Sequence, residues 1–262
     1  LLVNTAYDPR GQLWHISNPY AVTATGGTYQ SPNWIQPFAE HQYDPIGRES
    51  KAINPDGTFQ TFTYNQWTTT LTDANGHQRK TIADAFGRTF QVLEFNQGPT
   101  YTTQYQYDPL NRLIRVTDHS SNVTTMSYDW LGRKTAMSDP DMGSWSYAYD
   151  AVGNLIQQTD AKGQRTCFYY DPLNRLKGKN YQTSASQCPS DPGAYSVTNT
   201  YDQGTNGIGR RTGMSDPSGS TTWAYDKQGR VTSQINTITG APAAYTTSWT
   251  YDAMNRATSM TY

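Results

Sequence analysis

Tyr107-Asp108-Pro109-Leu110-Asn111-Arg112, Tyr128-Asp129-Trp130-Leu131-Gly132-Arg133, Tyr149-Asp150 and Tyr170-Asp171-Pro172-Leu173-Asn174-Arg175 succeed one another at a constant spacing of 21 residues. A fixed period of this length marks a repeat architecture, and a residue present in each copy serves first to build the copy. The Tyr-Asp pair is already present at Tyr7-Asp8 and still present at Tyr251-Asp252. The turns Asp44 to Arg48, Asp84 to Arg88, Asp226 to Arg230 and Asp252 to Arg256 share the pattern of Asp108 to Arg112, Asp129 to Arg133 and Asp171 to Arg175. Asp accepts hydrogen bonds from the backbone two residues on, and Pro, where present, pre-sets φ for the second position. The fourth slot is Gly or Asn in these seven copies, the residues that best tolerate a left-handed backbone. The pattern predicts a type I turn closed by a left-handed residue, a common hairpin connection.

A second turn lies between successive copies. It reads Asp73-Ala74-Asn75-Gly76, Asp160-Ala161-Lys162-Gly163 or Asp216-Pro217-Ser218-Gly219, with Asn54-Pro55-Asp56-Gly57 as a variant. Asp118 to Asn122 and Asp139 to Gly143 read as one residue longer. Between turns the chain alternates: Trp145, Tyr147 and Tyr149 share one face, as do Trp223 with Tyr225 and Trp249 with Tyr251. Period two means β-strand. With Tyr107, Tyr128 and Tyr170 these residues are expected to form an aromatic ladder across neighbouring strands, each pair contributing roughly 0.2–1 kcal/mol. The fold class expected is all-β, with antiparallel hairpin repeats forming a curved or spiralling ribbon. Ten units of two strands would extend ~95 Å at ~4.8 Å per strand, too wide for a flat sheet.

One continuous array over 1–262 is expected: a degenerate repeat with a long loop at 1–42, regular repeats at 43–175, and repeats with insertions at 176–262. Tyr64-Asn65 reads as a decayed copy, Asp84 follows Ala83 where Tyr would stand, and Gly26-Gly27 falls in the long loop. Tyr170 and Tyr201 are 31 residues apart, ten more than the period. Glycines in 203–209 stretch the next turn.

Composition narrows the function. The 262 residues carry a net charge of −1, only 16% are charged, and 20 are Tyr. The mean hydropathy of −0.79 comes from Thr, Ser, Gln and Asn rather than charge, which favours polar, aromatic-studded strands over disorder. Near-neutrality gives no footprint for nucleic acid. The longest apolar run falls short of a membrane-spanning helix, so no membrane insertion is expected. The array runs at both ends, as in a segment of a longer polypeptide, and the composition fits an extracellular or cell-surface setting.

The candidate sites resolve toward structure. Asp and Arg four apart read as turn construction with a short-range ion pair, not acid–base chemistry. Two cysteines and four scattered histidines make a poor zinc set. Cys167 on a strand and Cys188 in the insertion are expected to form a disulfide pinning that loop in an extracellular context. Asp139 and Asp141 lack the further oxygen ligands of a Ca²⁺ loop, and Gly204 to Arg211 lacks the Lys-Ser/Thr of a P-loop. Asn122-Val123-Thr124 is a lone glycosylation sequon. No catalytic residue, metal or cofactor is expected.

These turns resemble the YD-repeat (Rhs-repeat) family over essentially the whole chain. The resemblance implies a long antiparallel ribbon spiralling into a hollow shell, as in Rhs polymorphic toxins, toxin-complex shell subunits and teneurins. In the toxins the shell encloses a C-terminal effector, and carbohydrate binding is associated with the repeats. The Asp-Pro-x-Gly-Leu-x-Gly-Gly motif of the bacterial shells' protease core is absent, since Asp216-Pro217-Ser218-Gly219 runs on as Ser220-Thr221-Thr222. The expected function is a non-enzymatic wall segment of such a shell, or a self-assembling surface fibre. Its partners would be further YD repeats or copies of itself. The alternative is a glycan-binding surface using exposed Tyr and Trp.

Overall fold

The computed structural model describes residues 2–22, 31–96, 98–183 and 187–262, so Gly26-Gly27 lie outside the described residues. Among the described residues there are 22 β-strands and no helix. They form two compact units, Leu1–Thr125 and Met126–Tyr262. In the first, strands pair antiparallel in chain order from β1 (Thr5–Tyr7) and β2 (Leu13–Ser17) through β3 (Phe38–Tyr43), β4 (Glu49–Ile53), β5 (Phe59–Asn65), β6 (Thr68–Thr72), β7 (Gln78–Ala83), β8 (Thr89–Phe95), β9 (Thr100–Tyr107) and β10 (Leu113–Thr117) to the start of β11 (Val123–Tyr128). In the second, the same order runs through β12 (Lys134–Asp139), β13 (Gly143–Tyr149), β14 (Leu155–Thr159), β15 (Arg165–Tyr170), β16 (Leu176–Gln182), β17 (Val197–Tyr201), β18 (Arg211–Asp216), β19 (Gly219–Tyr225), β20 (Val231–Ile238), β21 (Tyr245–Tyr251) and β22 (Ala257–Thr261).

Within each unit, the strand contacts among described residues join chain neighbours only, so no second layer packs on either face. Few side chains can then be fully enclosed. Val92, Cys167 and Tyr169 are the buried hydrophobics among the described residues. Stability must come from contacts along the ribbon instead.

The two kinds of turn differ in a way the sequence pattern did not separate. Both close in the same five residues: the Asp108 amide donates to the Arg112 carbonyl and the Asn111 amide to the Asp108 carbonyl, and Asp73 to His77 repeats this with Gly76. The fourth residue is left-handed, with φ of 64° at Asn111 and 81° at Gly132. Asp118 to Asn122, expected to be one residue longer, closes identically with Ser121 at φ 69°. Asp216 pairs directly with Gly219 and is the shorter turn, whereas Asp139 pairs with Gly143.

At the Tyr-Asp turns, however, the strand register shifts by one residue. Tyr149 pairs with Leu155 but Ala148 with Gln157, leaving Ile156 unpaired. The same bulge recurs at Tyr7, Tyr43, Ala83, Tyr107, Tyr170, Tyr201, Tyr225 and Tyr251. No bulge occurs across the second turns at Ile53, Thr72, Thr117 or Thr159. A bulge bends its strand and adds local twist, here always at the Tyr-Asp edge. In the regular repeats a row across the strands advances 19 residues, as from Ser146 through Thr159 to Arg165 or His41 through Ala52 to Gln60. The Tyr-Asp pair advances 21. Each turn is therefore staggered two residues, about 7 Å, beyond the one before.

Candidate functional site: the inter-repeat latch

That stagger carries each Tyr past the end of the preceding repeat's strand, beside its turn. The Tyr149 hydroxyl donates to the Lys134 carbonyl at 2.8 Å, Tyr170 to Leu155 at 3.0 Å, Tyr107 to Thr89 at 2.9 Å and Tyr251 to Val231 at 2.8 Å. Tyr43, Tyr64, Tyr201 and Tyr225 do the same to Leu13, Glu49, Leu176 and Arg211. In each case the acceptor is the first residue after the previous Tyr-Asp turn. Burial pushes the Tyr149 and Tyr170 phenols upward, which keeps them protonated and able to donate.

Arginine closes the latch from the other side. Nε of Arg48, Arg88, Arg112, Arg133, Arg175, Arg230 and Arg256 donates to the carboxylate of its own turn, Asp44, Asp84, Asp108, Asp129, Asp171, Asp226 or Asp252, at 2.6–2.8 Å. The guanidinium then reaches the next repeat. Nη1 of Arg133 donates to the Asp150 carbonyl at 3.0 Å and that of Arg230 to Asp252 at 3.1 Å. Arg88 and Arg230 also meet the Oδ1 of Asn111 and Asn255. Five of these guanidinium groups lie over the next Tyr ring: Arg48 on Tyr64 at 4.1 Å, Arg88 on Tyr107 at 4.9 Å, Arg133 on Tyr149 at 4.7 Å, Arg175 on Tyr201 at 4.4 Å and Arg230 on Tyr251 at 4.6 Å. The expected ring-on-ring ladder is therefore corrected: the faces of Tyr107, Tyr149, Tyr201, Tyr225 and Tyr251 are covered by cations. Lys134 over Tyr147 and Arg211 over Trp223 continue this. The Trp145 indole donates to the Met142 carbonyl, and Trp249 pairs with Met260. Tyr128 ends β11.

Variant copies keep the link. Asn154 stands where Arg would, and its amide bonds both Asp150 and Asn174. The decayed copy at Tyr64-Asn65 has lost its Asp but keeps both its hydroxyl bond and its arginine. In the stretched turn, Asp202 is taken bidentately by Arg175 of the previous repeat at 2.7 and 3.0 Å, while Arg210 covers Tyr225.

The turn carboxylates are committed to this work. The Arg88 side-chain hydrogen bond, together with backbone donors and against the opposing effect of burial, holds Asp84 below the usual carboxylate range. At Asp252 the Arg256 backbone amide is the largest cause. Asp139 accepts from the Asp141 and Met142 amides, and Asn122 from the sequon bonds Asp118. Among the described residues no group of three or more His, Cys, Asp or Glu is placed to hold a metal ion.

The insertion is fastened separately. Cys167 and Cys188 form a disulfide. Asp191 accepts from Lys177 and Tyr195, which bring its carboxyl down to about 2. The Tyr195 ring lies over Gly178, where a Cβ would overlap it. Sequence reasoning missed Lys177, Asp191 and Tyr195, as they belong to no repeat.

The turn tips differ between edges. At the Tyr-Asp edge the third slot is apolar and exposed in seven turns, where Ile46, Phe86, Leu110, Leu131, Val152, Leu173 and Met254 are 65–79% exposed, and polar at Arg10 and Gln228. At the opposite edge the same slot holds Asp56, Asn75, Ser120 and Lys162.

Staggered, bulged hairpins latched in series define an antiparallel β-hairpin repeat protein. The RHS Repeat family model matches residues 107–141, 149–181 and 206–242, so these segments carry RHS (YD) repeats. The chain superposes on the crystal structure of TcdB2-TccC3 with a TM-score of 0.74 at 21% identity, covering 98% of this chain and 15% of that one. A Tc holotoxin pore of Photorhabdus luminescens gives a TM-score of 0.74 at 20% identity, with 98% and 15% covered. In sequence it is 28% identical over 146 residues to double-stranded DNA deaminase toxin A of Burkholderia cenocepacia (strain H111), covering 49% of this chain and 10% of the toxin. The chain thus spans a small fraction of the length of these relatives.

Proposed function

We infer that the chain is a non-catalytic wall segment of an extracellular Rhs-type shell, one continuous array over residues 1–262. The observation that carries this reading is the series latch. The conspicuous polar groups, Asp, Arg and the Tyr hydroxyl, are spent joining each repeat to the next, and no face of either unit is covered by a second layer of described strands. A structure with this economy suits enclosure rather than chemistry. The disulfide agrees with an oxidising compartment. The apolar tips of the Tyr-Asp edge suit burial against further YD repeats. The deaminase activity in the toxin's name belongs to that protein, of which this chain matches a tenth. Limited proteolysis of the polypeptide translated from the complete reading frame tests the reading. Sequence enclosed by the wall should survive until the turns are cut; its digestion at the outset contradicts enclosure.

A second reading, glycan recognition, draws on Trp14, Trp67 and Trp130, which are 45%, 58% and 99% exposed. A cavity of about 300 Å³ lined by Trp145, Gln158, Asp160, Gln164 and Tyr181 also combines rings with polar acceptors. A glycan array probed with the chain decides this reading: binding lost in Trp130→Ala or Trp145→Ala supports it, and silence removes it.

A further inference from the structure

One latch inside the second unit lacks its cation. Asn154 stands in the arginine slot, and its side-chain amide bonds the Asp150 carboxylate and Oδ1 of Asn174. The other donors to that carboxylate are the Val152 and Asn154 backbone amides, so every one is neutral. Among the described residues, the carboxylates of the other turns in the series, from Asp8 to Asp252, are all ion-paired. Tyr170 is short of the same charge. On either side of it Arg133 lies over Tyr149 and Arg175 over Tyr201, but no cation lies over Tyr170 among the described residues. Burial and then the Asp150 charge push the Tyr170 phenol up with nothing opposing them, whereas at Tyr149 Arg133 opposes burial. The deficit is not made good nearby. Gln12 also occupies an arginine slot, but there Arg10 pairs with Asp8 and reaches the Asp44 carbonyl. The tip beside Asn154 is Ala151-Val152, which carries no charge.

Where the arginine would lie there is space. A cavity of about 410 Å³ is lined by Asp150, Asn154, Tyr170, Asp171, Asn174 and Asp191, with further residues of the same strands and of the insertion. Two of its carboxylates are already engaged, Asp191 by Lys177 and Asp171 by Arg175, which Asp171 shares with Asp202. Asp150 is not. Its Oδ1 takes two donors and its Oδ2 one, which leaves Oδ2 room for another. An uncovered ring beside an unneutralised carboxylate selects a cation. The interior latches show which kind: Arg133 covers a ring while donating to a carboxylate and to the next turn's carbonyl, and a planar fork of donors does this where a compact ammonium does not. We propose that this cavity binds a guanidinium group carried by another molecule, seated over Tyr170 and donating to the Asp150 carboxylate and the Asp171 carbonyl. The guest completes the one latch that the chain leaves without a cation, and the site does not depend on the chain being wall.

Saturation-transfer NMR of the chain with N-acetyl-arginine amide tests this, beside the citrulline analogue, which keeps the shape and loses the charge. The arginine probe should receive saturation at its δ-methylene, with a Kd on the order of 1 mM for one cation–ring contact and two charge-assisted hydrogen bonds. The citrulline analogue should bind about tenfold more weakly. Asn154→Arg restores the internal guanidinium and should abolish probe binding, while its urea unfolding midpoint stays at or above that of wild type. Asn154→Ala empties the slot without filling it and should keep binding the probe. A competing peptide with one internal arginine separates the sources of the group. Displacement of the probe supports a site for a polypeptide side chain, and retention supports one for small guanidinium compounds. No saturation at ten times the expected Kd, equal binding of the citrulline analogue, or undiminished binding to a folded Asn154→Arg chain would each overturn the proposal.

Discussion

At the residue scale, Arg133 does three things: it holds its own turn's Asp, caps the next Tyr ring and bonds the next turn's backbone. Replacing an interior copy, Arg133→Ala, should lower unfolding free energy by about 1–2 kcal/mol, from one cation–ring contact and charge-assisted hydrogen bonds at a half-buried site. Arg256→Ala, at an exposed site, should change it by less than about 0.5 kcal/mol. Urea unfolding midpoints compare the two; equal losses would refute the latch. The turn carboxylates set the acid limit. Their folded-state values lie below the ordinary 3.8, so their stabilisation is fully present above that pH and is lost as pH falls through the folded values. For Asp191 the window runs from 3.8 down to about 2. Far-ultraviolet circular dichroism against pH should therefore stay flat through neutrality and fall only in this acid range. A transition centred near pH 6 would contradict this assignment to the turn carboxylates.

At the scale of the element, the hairpin was legible and its junction was not. Turn chemistry is local: a Gly or Asn four residues into an Asp-led turn announces a left-handed backbone, and Asn111, Gly132 and Asn174 adopt it. The bulge and the two-residue stagger depend on which residues face each other across strands, and composition alone does not report this. A usable signal existed. Arg48 and Tyr64, Arg133 and Tyr149, and Asn154 and Tyr170 are each 16 residues apart, the reach of a latch across one repeat. Asp118 to Asn122 was misjudged in length because Ser121 occupies the left-handed slot without being Gly or Asn. The insertion obeys other rules. Gly178→Ala should expel Tyr195 and cost about 1–3 kcal/mol by overpacking. Hydrogen exchange should then rise across residues 187–196 and remain unchanged in β12 to β14. Unaltered exchange there would show that Tyr195 does not need the notch. Losing the disulfide through Cys188→Ser should loosen the same segment, at a cost of about 2–4 kcal/mol.

At the scale of the whole molecule, a ribbon without a second layer makes sense as part of something that encloses. The wide, aromatic-rich, weakly charged array was visible in composition and period. The reason it holds together with so little buried core was not, because it lies in contacts between repeats. The central claim is that residues 1–262 form wall, latched repeat by repeat. A cryo-electron microscopy map of the polypeptide from the complete reading frame, at side-chain resolution, tests it most directly. The account predicts a hollow particle in which these strands run as a continuous stretch of wall, with Arg133 on Tyr149 and Arg230 on Tyr251. A solid particle, with these strands packed face to face against another domain, would contradict it.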